Sequence, residues 1–128
     1  MGELEAMTSL EKAEFALRVA EERKAQAAVT LDLRKLTLVA DFFLICEGTS
    51  AVHIRAVANA LQEEFGKAGL RPLGCEGYRE ARWVLLDFGD LVIHIFAREE
   101  REYYALERLW ADAPRLAPAR RKPAPREE

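Results

Sequence analysis

The sequence predicts an α/β domain in which a small mixed β-sheet is flanked by helices. Three observations carry this prediction. Apolar residues recur at helical spacing in three stretches, four shorter stretches read as strands, and the two kinds follow in the order helix, strand, strand, helix, loop, strand, strand, helix. With 128 residues, half of them hydrophobic, the chain can build one core and is too short for two.

The first helix is predicted in "TSLEKAEFALRVAEERKAQAA". Thr8 stands three residues ahead of Glu11, the capping-box spacing, and Leu10, Ala13, Leu17 and Ala20 form one apolar stripe. "VTLDL" follows as a strand with one buried face, Val29, Leu31 and Leu33 alternating with Thr30 and Asp32. "FFLIC" is short and wholly apolar, as a strand covered on both faces would be. Ser50 can cap a second helix, whose core stripe is Ile54, Val57, Ala58, Leu61 and Phe65 and whose end falls at Gly69. After the loop "LRPLGCEGY", strands are predicted at 82–87 and 91–96, so the sheet runs from about residue 29 to 97. A single third helix, "EEREYYALERLWADAP", has acidic residues in its first turn and stops at Pro114. Residues 115–128, basic and rich in proline, read as a disordered tail, leaving 1–114 as the domain.

The strand pair "WVLLDFGDLVIHIF" holds the residues of greatest interest. With Phe88 and Gly89 as a two-residue turn, Asp87 faces Asp90 and Trp83 faces His94. Alternation then places Val84, Leu86, Leu91, Ile93 and Ile95 on one face, and Trp83, Leu85, Asp87, Asp90, Val92, His94 and Phe96 on the other. The aliphatic face is the bed for helices. The mixed face is either covered by another element or offered to a partner, and with three helices the chain has little left to cover it, which favours a partner. Singly, Trp83 reads as a core edge, His94 as a hydrogen-bonded structural histidine, and Asp87 and Asp90 as turn residues; as a cluster on one face they point to binding.

Composition excludes several classes. The segment up to Pro114 carries 14 basic and 20 acidic residues, whereas the tail carries five basic and two acidic. An acidic body is ill suited to general nucleic-acid binding, whose affinity comes from neutralising phosphates, and suits a basic protein partner. No apolar run reaches the roughly 20 residues of a membrane span, and the acidic N-terminus lacks the positive charge of a signal or transit peptide, so a cytoplasmic location is expected. Cys46, Cys75, His53 and His94 have no metal-ligand spacing, and no cofactor or metal is implied.

Catalysis is disfavoured as well. "DFG" matches a kinase magnesium motif, but no Gly-rich loop or HRD-type segment accompanies it. A nucleotide-binding or nucleotidyl-transferring enzyme is the stronger alternative, because "GTS" at 48–50 lies between a strand and a helix N-terminus, where phosphate is readily bound. Two-metal chemistry, however, needs converging carboxylates, and the chain has no Asp-x-Asp pair on a strand to begin such a cluster.

The motifs "LDL", "ADFFLICEGTS" followed by His53, "EGY", "RWVLLDFGDLVIHIF" and "REYYALERLW", in that order, resemble those of the ribosomal silencing factor family, also called Iojap-like proteins. The resemblance covers Val29 to Ala113. It implies a nucleotidyltransferase-like fold without the catalytic carboxylates, and no enzymatic activity. It also implies a translational repressor that binds the large ribosomal subunit through ribosomal protein fourteen and blocks joining of the small subunit when nutrients are short. Positions matching the family's motifs are Asp41, Ser50, His53, Glu76, Gly77, Trp83, Asp87, Gly89, Asp90, His94, Arg101, Tyr104, Leu106, Glu107, Leu109 and Trp110. Among them, Gly77 and Gly89 are expected to serve the backbone, Ser50 to cap a helix and Leu106 to sit in the core. The expected partner surface is Glu76, Trp83, Asp87 and His94 from the sheet with Tyr104, Glu107 and Trp110 from the last helix, since these join aromatic anchors to acidic groups. Without its partner that face should pair with itself in a homodimer. The basic tail is left two roles, a minor contact with ribosomal RNA or plain solubilisation, of which the second is favoured.

Overall fold

A computed structural model of the chain describes residues 7–116. Helix α1 (Ser9–Glu22) starts at Thr8, whose side chain accepts from the Glu11 amide while Glu11 reaches back to the Thr8 amide, so the expected capping box is complete. Helix α2 (Ala51–Lys67) is capped by Ser50. Between them run β1 (Gln26–Asp32) and β2 (Phe42–Glu47); after α2 come β3 (Gly74–Glu76), β4 (Trp83–Asp87) and β5 (Leu91–Phe96). The chain closes with α3 (Arg98–Tyr104), α4 (Leu106–Leu109) and β6 (Arg115–Leu116).

The six strands form one mixed sheet in the order β3-β4-β5-β2-β1-β6, with β2 and β5 parallel and every other pair antiparallel. A parallel pair needs a long crossover, and α2 with the β3–β4 segment supplies it. One face of the sheet, including Phe42, Leu44, Cys46, Val84, Leu86, Leu91, Ile93 and Ile95, is buried under α1 and α2. Burial pushes the Cys46 thiol up to about 12, which leaves it an inert core residue. The other face gathers Leu31, Leu33, Phe43, Ile45, Val92 and Phe96 into a second core, closed by Ala40, Leu106, Trp110 and Ala113.

Several expectations are corrected here. The β4–β5 turn is Gly89-Asp90: Asp87 faces Val92, Leu85 faces His94, and Trp83 faces Phe96. Phe88 explains the shift. A turn at Phe88-Gly89 would hold this ring in solvent, whereas the observed register leaves it 8% exposed and stacked on Phe65 at 4.5 Å between centroids. Burying a phenyl group stabilises by roughly 2 kcal/mol. Gly89 then takes a φ of 88° at the first turn position, as a type II′ hairpin requires. Because the register moved by an even number of residues, the strand side chains kept their expected faces, whereas Asp90, expected on the mixed face, lies in the turn and pairs with Lys12 of α1, the helix over the aliphatic face.

The predicted third helix is broken. Ala105 adopts the left-handed conformation (φ 48°, ψ 50°), separating α3 from α4 and turning the chain back across the second face. That face is therefore partly covered, not left open as expected. Strand β6 pairs with β1, and the Pro114 carbonyl accepts from the Asp32 amide, so Arg115 and Leu116 belong to the folded domain. Strand β3 was also unforeseen. The rest of the expected tail, from residue 117, lies outside the described residues.

Candidate partner-binding surface

The second face carries the aromatic cluster that the sequence pointed to. Trp83, at the start of β4, stacks on Phe96 with centroids 4.8 Å apart and meets the tilted ring of Tyr104 at 4.7 Å. Tyr103 packs edge-on against Tyr104 at 4.9 Å and is 81% exposed. Behind Trp83, its indole N–H donates to His94 Nδ1 at 3.1 Å. An indole can only donate, so this bond makes Nδ1 the acceptor and puts the proton of the neutral ring on Nε2. Phe43 packs against His94 at 4.6 Å and against Trp110 at 6.1 Å, both edge-on, so the rings form one connected layer.

His94 is 3% exposed, and burial lowers its pKa to about 4. An uncharged imidazole is what this apolar layer can hold, since an imidazolium there would lack solvent and a counter-ion. The expectation that His94 touches a partner is corrected: it lies under Trp83 and fixes the indole.

The backbone shape near Trp83 depends on Gly77. This residue has a φ of 80°, and a Cβ there would stand 2.1 Å from the Trp83 carbonyl oxygen. Only glycine lets the loop after β3 run this close to β4. Arg55 of α2 holds the same loop by donating to the carbonyls of Tyr78 (3.2 Å) and Arg79 (2.6 Å).

The other expected contacts are divided. Glu76 is exposed at the end of β3, opposite Leu85 and two residues along from Trp83. Tyr104 is 49% exposed, and Trp110 is half-buried. Asp87 lies at the far end of β4 from Trp83, about 13 Å along a strand at about 3.3 Å per residue. There it accepts from the Gly89 amide at 2.8 Å, a turn-stabilising role. Glu107 faces inward instead of outward. Both of its oxygens are gripped by Arg101, at 3.0 and 2.8 Å, and that bond holds its carboxyl below the usual range.

Sequence reasoning missed Phe43 and Tyr103, and it named Leu109 as a motif match without placing it in the contact set, although it is 72% exposed and precedes Trp110. "EYY" was the available signal for Tyr103. It also passed over "KLTLV", which places Leu36, Leu38 and Val39 at 43%, 103% and 71% exposure between β1 and β2.

The position expected for a nucleotide is a cleft of about 490 Å³ lined in part by Gly48, Thr49, Ser50, Glu80, Arg82 and Glu99. Two of its amides are engaged internally, Gly48 N–H donating to the Phe96 carbonyl at 3.0 Å and Thr49 N–H to His53 Nδ1 at 2.9 Å, and the His53 N–H donates to Ser50 Oγ at 3.0 Å. The far ring nitrogen of His53 lies 2.9 Å from the Arg23 carbonyl, tying α2 to the end of α1. Asp87 and Asp90 do not converge. Asp90 pairs with Lys12 at 3.2 Å, and its carbonyl accepts from the amides of Asp41 and Phe42.

The chain is similar over most of its length to proteins of one kind. A ribosomal silencing factor RsfS of Halalkalibacterium halodurans is 43% identical over 108 residues, 84% of this chain and 92% of that one. The corresponding factor of Bacillus subtilis is 42% identical, covering 78% and 85%. A crystal structure of a Chromobacterium violaceum protein superposes with a TM-score of 0.80 at 33% identity, covering 82% of this chain and 88% of that one. The family model described as "Ribosomal silencing factor during starvation" matches residues 6–128, and with the arrangement above this places the chain in the ribosomal silencing factor family.

Proposed function

We propose that this protein acts in the cytoplasm, binds the large ribosomal subunit through ribosomal protein fourteen and sterically prevents the small subunit from joining. The observation that carries this reading is the presentation of Trp83. Its ring is half-buried in contact with Phe96 and Tyr104, its N–H is tied to a buried histidine, and it keeps exposed surface for a partner. An aromatic side chain already fixed in place loses little freedom on binding, which is the character of an interface anchor. Tyr104, Trp110 and Glu76 complete the contact set, while His94 and Glu107 support it from below. The acidic body matches a basic ribosomal protein in charge. A patch of roughly 800 Å² per partner is enough for specific capture, and no chemical step is required.

Co-sedimentation with purified large subunits, followed by addition of small subunits, tests the proposal. The wild-type chain should pellet with large subunits and reduce joining. Trp83→Ala combined with Tyr104→Ala should remain folded and stay in the supernatant. A wild-type chain that neither binds nor hinders joining refutes the function; a double variant that binds normally refutes the face. Glu107→Arg is unsuitable for this purpose, since it would set a cation against Arg101. The nucleotide reading predicts heat on titration with magnesium and a nucleoside triphosphate, and a flat titration removes it.

A further inference from the structure

We propose that Arg101 is the positioning residue of the docking face: by clamping Glu107 to the sheet it sets where Tyr104 and Trp110 stand. This rests on the functional reading above and extends it to a residue that touches no partner.

Arg101 is the buried cation of the described residues, 8% exposed, and its guanidinium reaches three elements. Nη1 donates to the Ala27 carbonyl of β1 at 2.7 Å and to Glu47 of β2 at 3.0 Å. Nε and Nη2 form a two-pronged grip on Glu107 of α4. Between the two ends of that grip lies Ala105, whose left-handed backbone makes the α3–α4 corner and whose amide donates to the Arg101 carbonyl at 2.9 Å. Alanine gains nothing from this conformation, and no glycine or proline is present to impose it, so the corner must be held by its surroundings. Ala27, whose carbonyl Arg101 also takes, has a positive φ of 49° as well. One guanidinium thus braces two strained backbone sites.

The corner decides the docking face. Tyr104 immediately precedes it and rests on Trp83; Leu106 and Trp110 follow it and pack on the second core. A straight helix through residue 105 would carry them away from the sheet. The charges make the clamp specific to arginine. Glu47 and Glu107 both converge on Arg101, so without a cation between them they repel, and a lysine could not reproduce the planar fork.

The test uses Arg101→Lys and Glu107→Gln in the full chain, with Val57→Ala in the α2 core as a control for lost stability. Glu107→Gln keeps the side-chain shape and one acceptor for the guanidinium, so it retains the fold if Arg101→Lys does not. Two readouts are taken: the indole N–H resonances of Trp83 and Trp110, and co-sedimentation with purified large subunits. In the folded variants both indole signals should move and large-subunit affinity should fall about tenfold or more. Val57→Ala should lower the melting temperature while leaving the indoles and the affinity as in wild type. Unmoved indoles in folded Arg101 and Glu107 variants overturn the inference, as does an equal loss of affinity in Val57→Ala. Should wild type itself fail to pellet with large subunits, the functional reading falls, and the indole signals still decide whether Arg101 sets the corner.

Discussion

Acid should weaken this fold through one residue, and the size of the effect follows from its surroundings. His94 is buried against Phe43, Phe96 and Trp83, and its pKa falls from 6.5 to about 4 because that layer cannot solvate an imidazolium. A depressed folded-state pKa means that the unfolded chain takes up the proton first. The associated stability is therefore complete above pH 6.5 and is lost as pH falls toward 4. At about 1.4 kcal/mol per unit the full effect is about 3 kcal/mol, of which about 2 kcal/mol is lost between about pH 7 and pH 5. Urea unfolding of wild type and His94→Leu at both values isolates the contribution, because other groups titrate alike in the two proteins. The variant should be less stable at pH 7, its Trp83 N–H having lost an acceptor, yet show a pH loss smaller by about 2 kcal/mol. Equal pH slopes, or an imidazole that titrates near 6.5 in the folded state, would refute the reasoning.

Three further outcomes separate support of the fold from contact with a partner. Ser50→Ala removes the cap of α2 and should cost about 1 kcal/mol, and Asp90→Asn, which weakens the Lys12 pair, less than about 1 kcal/mol; both should bind large subunits normally in co-sedimentation. Gly77→Ala forces a Cβ onto the Trp83 carbonyl and should destabilise by more than about 1 kcal/mol in thermal unfolding, with a shifted Trp83 indole resonance. Sedimentation velocity over a concentration series should show a homodimer that Tyr103→Ser with Leu109→Ser weakens, since these side chains are 81% and 72% exposed; a monomer at every concentration removes the dimer.

Local chemistry made much of this protein legible in its sequence. Thr8 and Ser50 could be read as helix caps because a cap acts on amides within three residues, and the α1 and α2 stripes because a helix repeats its faces every turn. The division of β4 and β5 into an aliphatic and a mixed face was equally secure, since alternation is local and a register change of even length leaves it intact. Family membership was readable from motifs in order along the chain. What the sequence could not decide depends on partners remote in the chain. Phe88 leaves the turn because Phe65, 23 positions earlier, offers its ring a buried seat. The last helix breaks at an ordinary alanine because Glu47, 54 positions before Arg101, and the Ala27 carbonyl, 74 before it, anchor the guanidinium that grips Glu107. His94 is buried and neutral because Phe43, 51 positions earlier on β2, and Trp83, 11 positions earlier on β4, close around its ring. Burial and ion pairing are sums over neighbours in space, and the identity of those neighbours exists only once the chain has closed on itself.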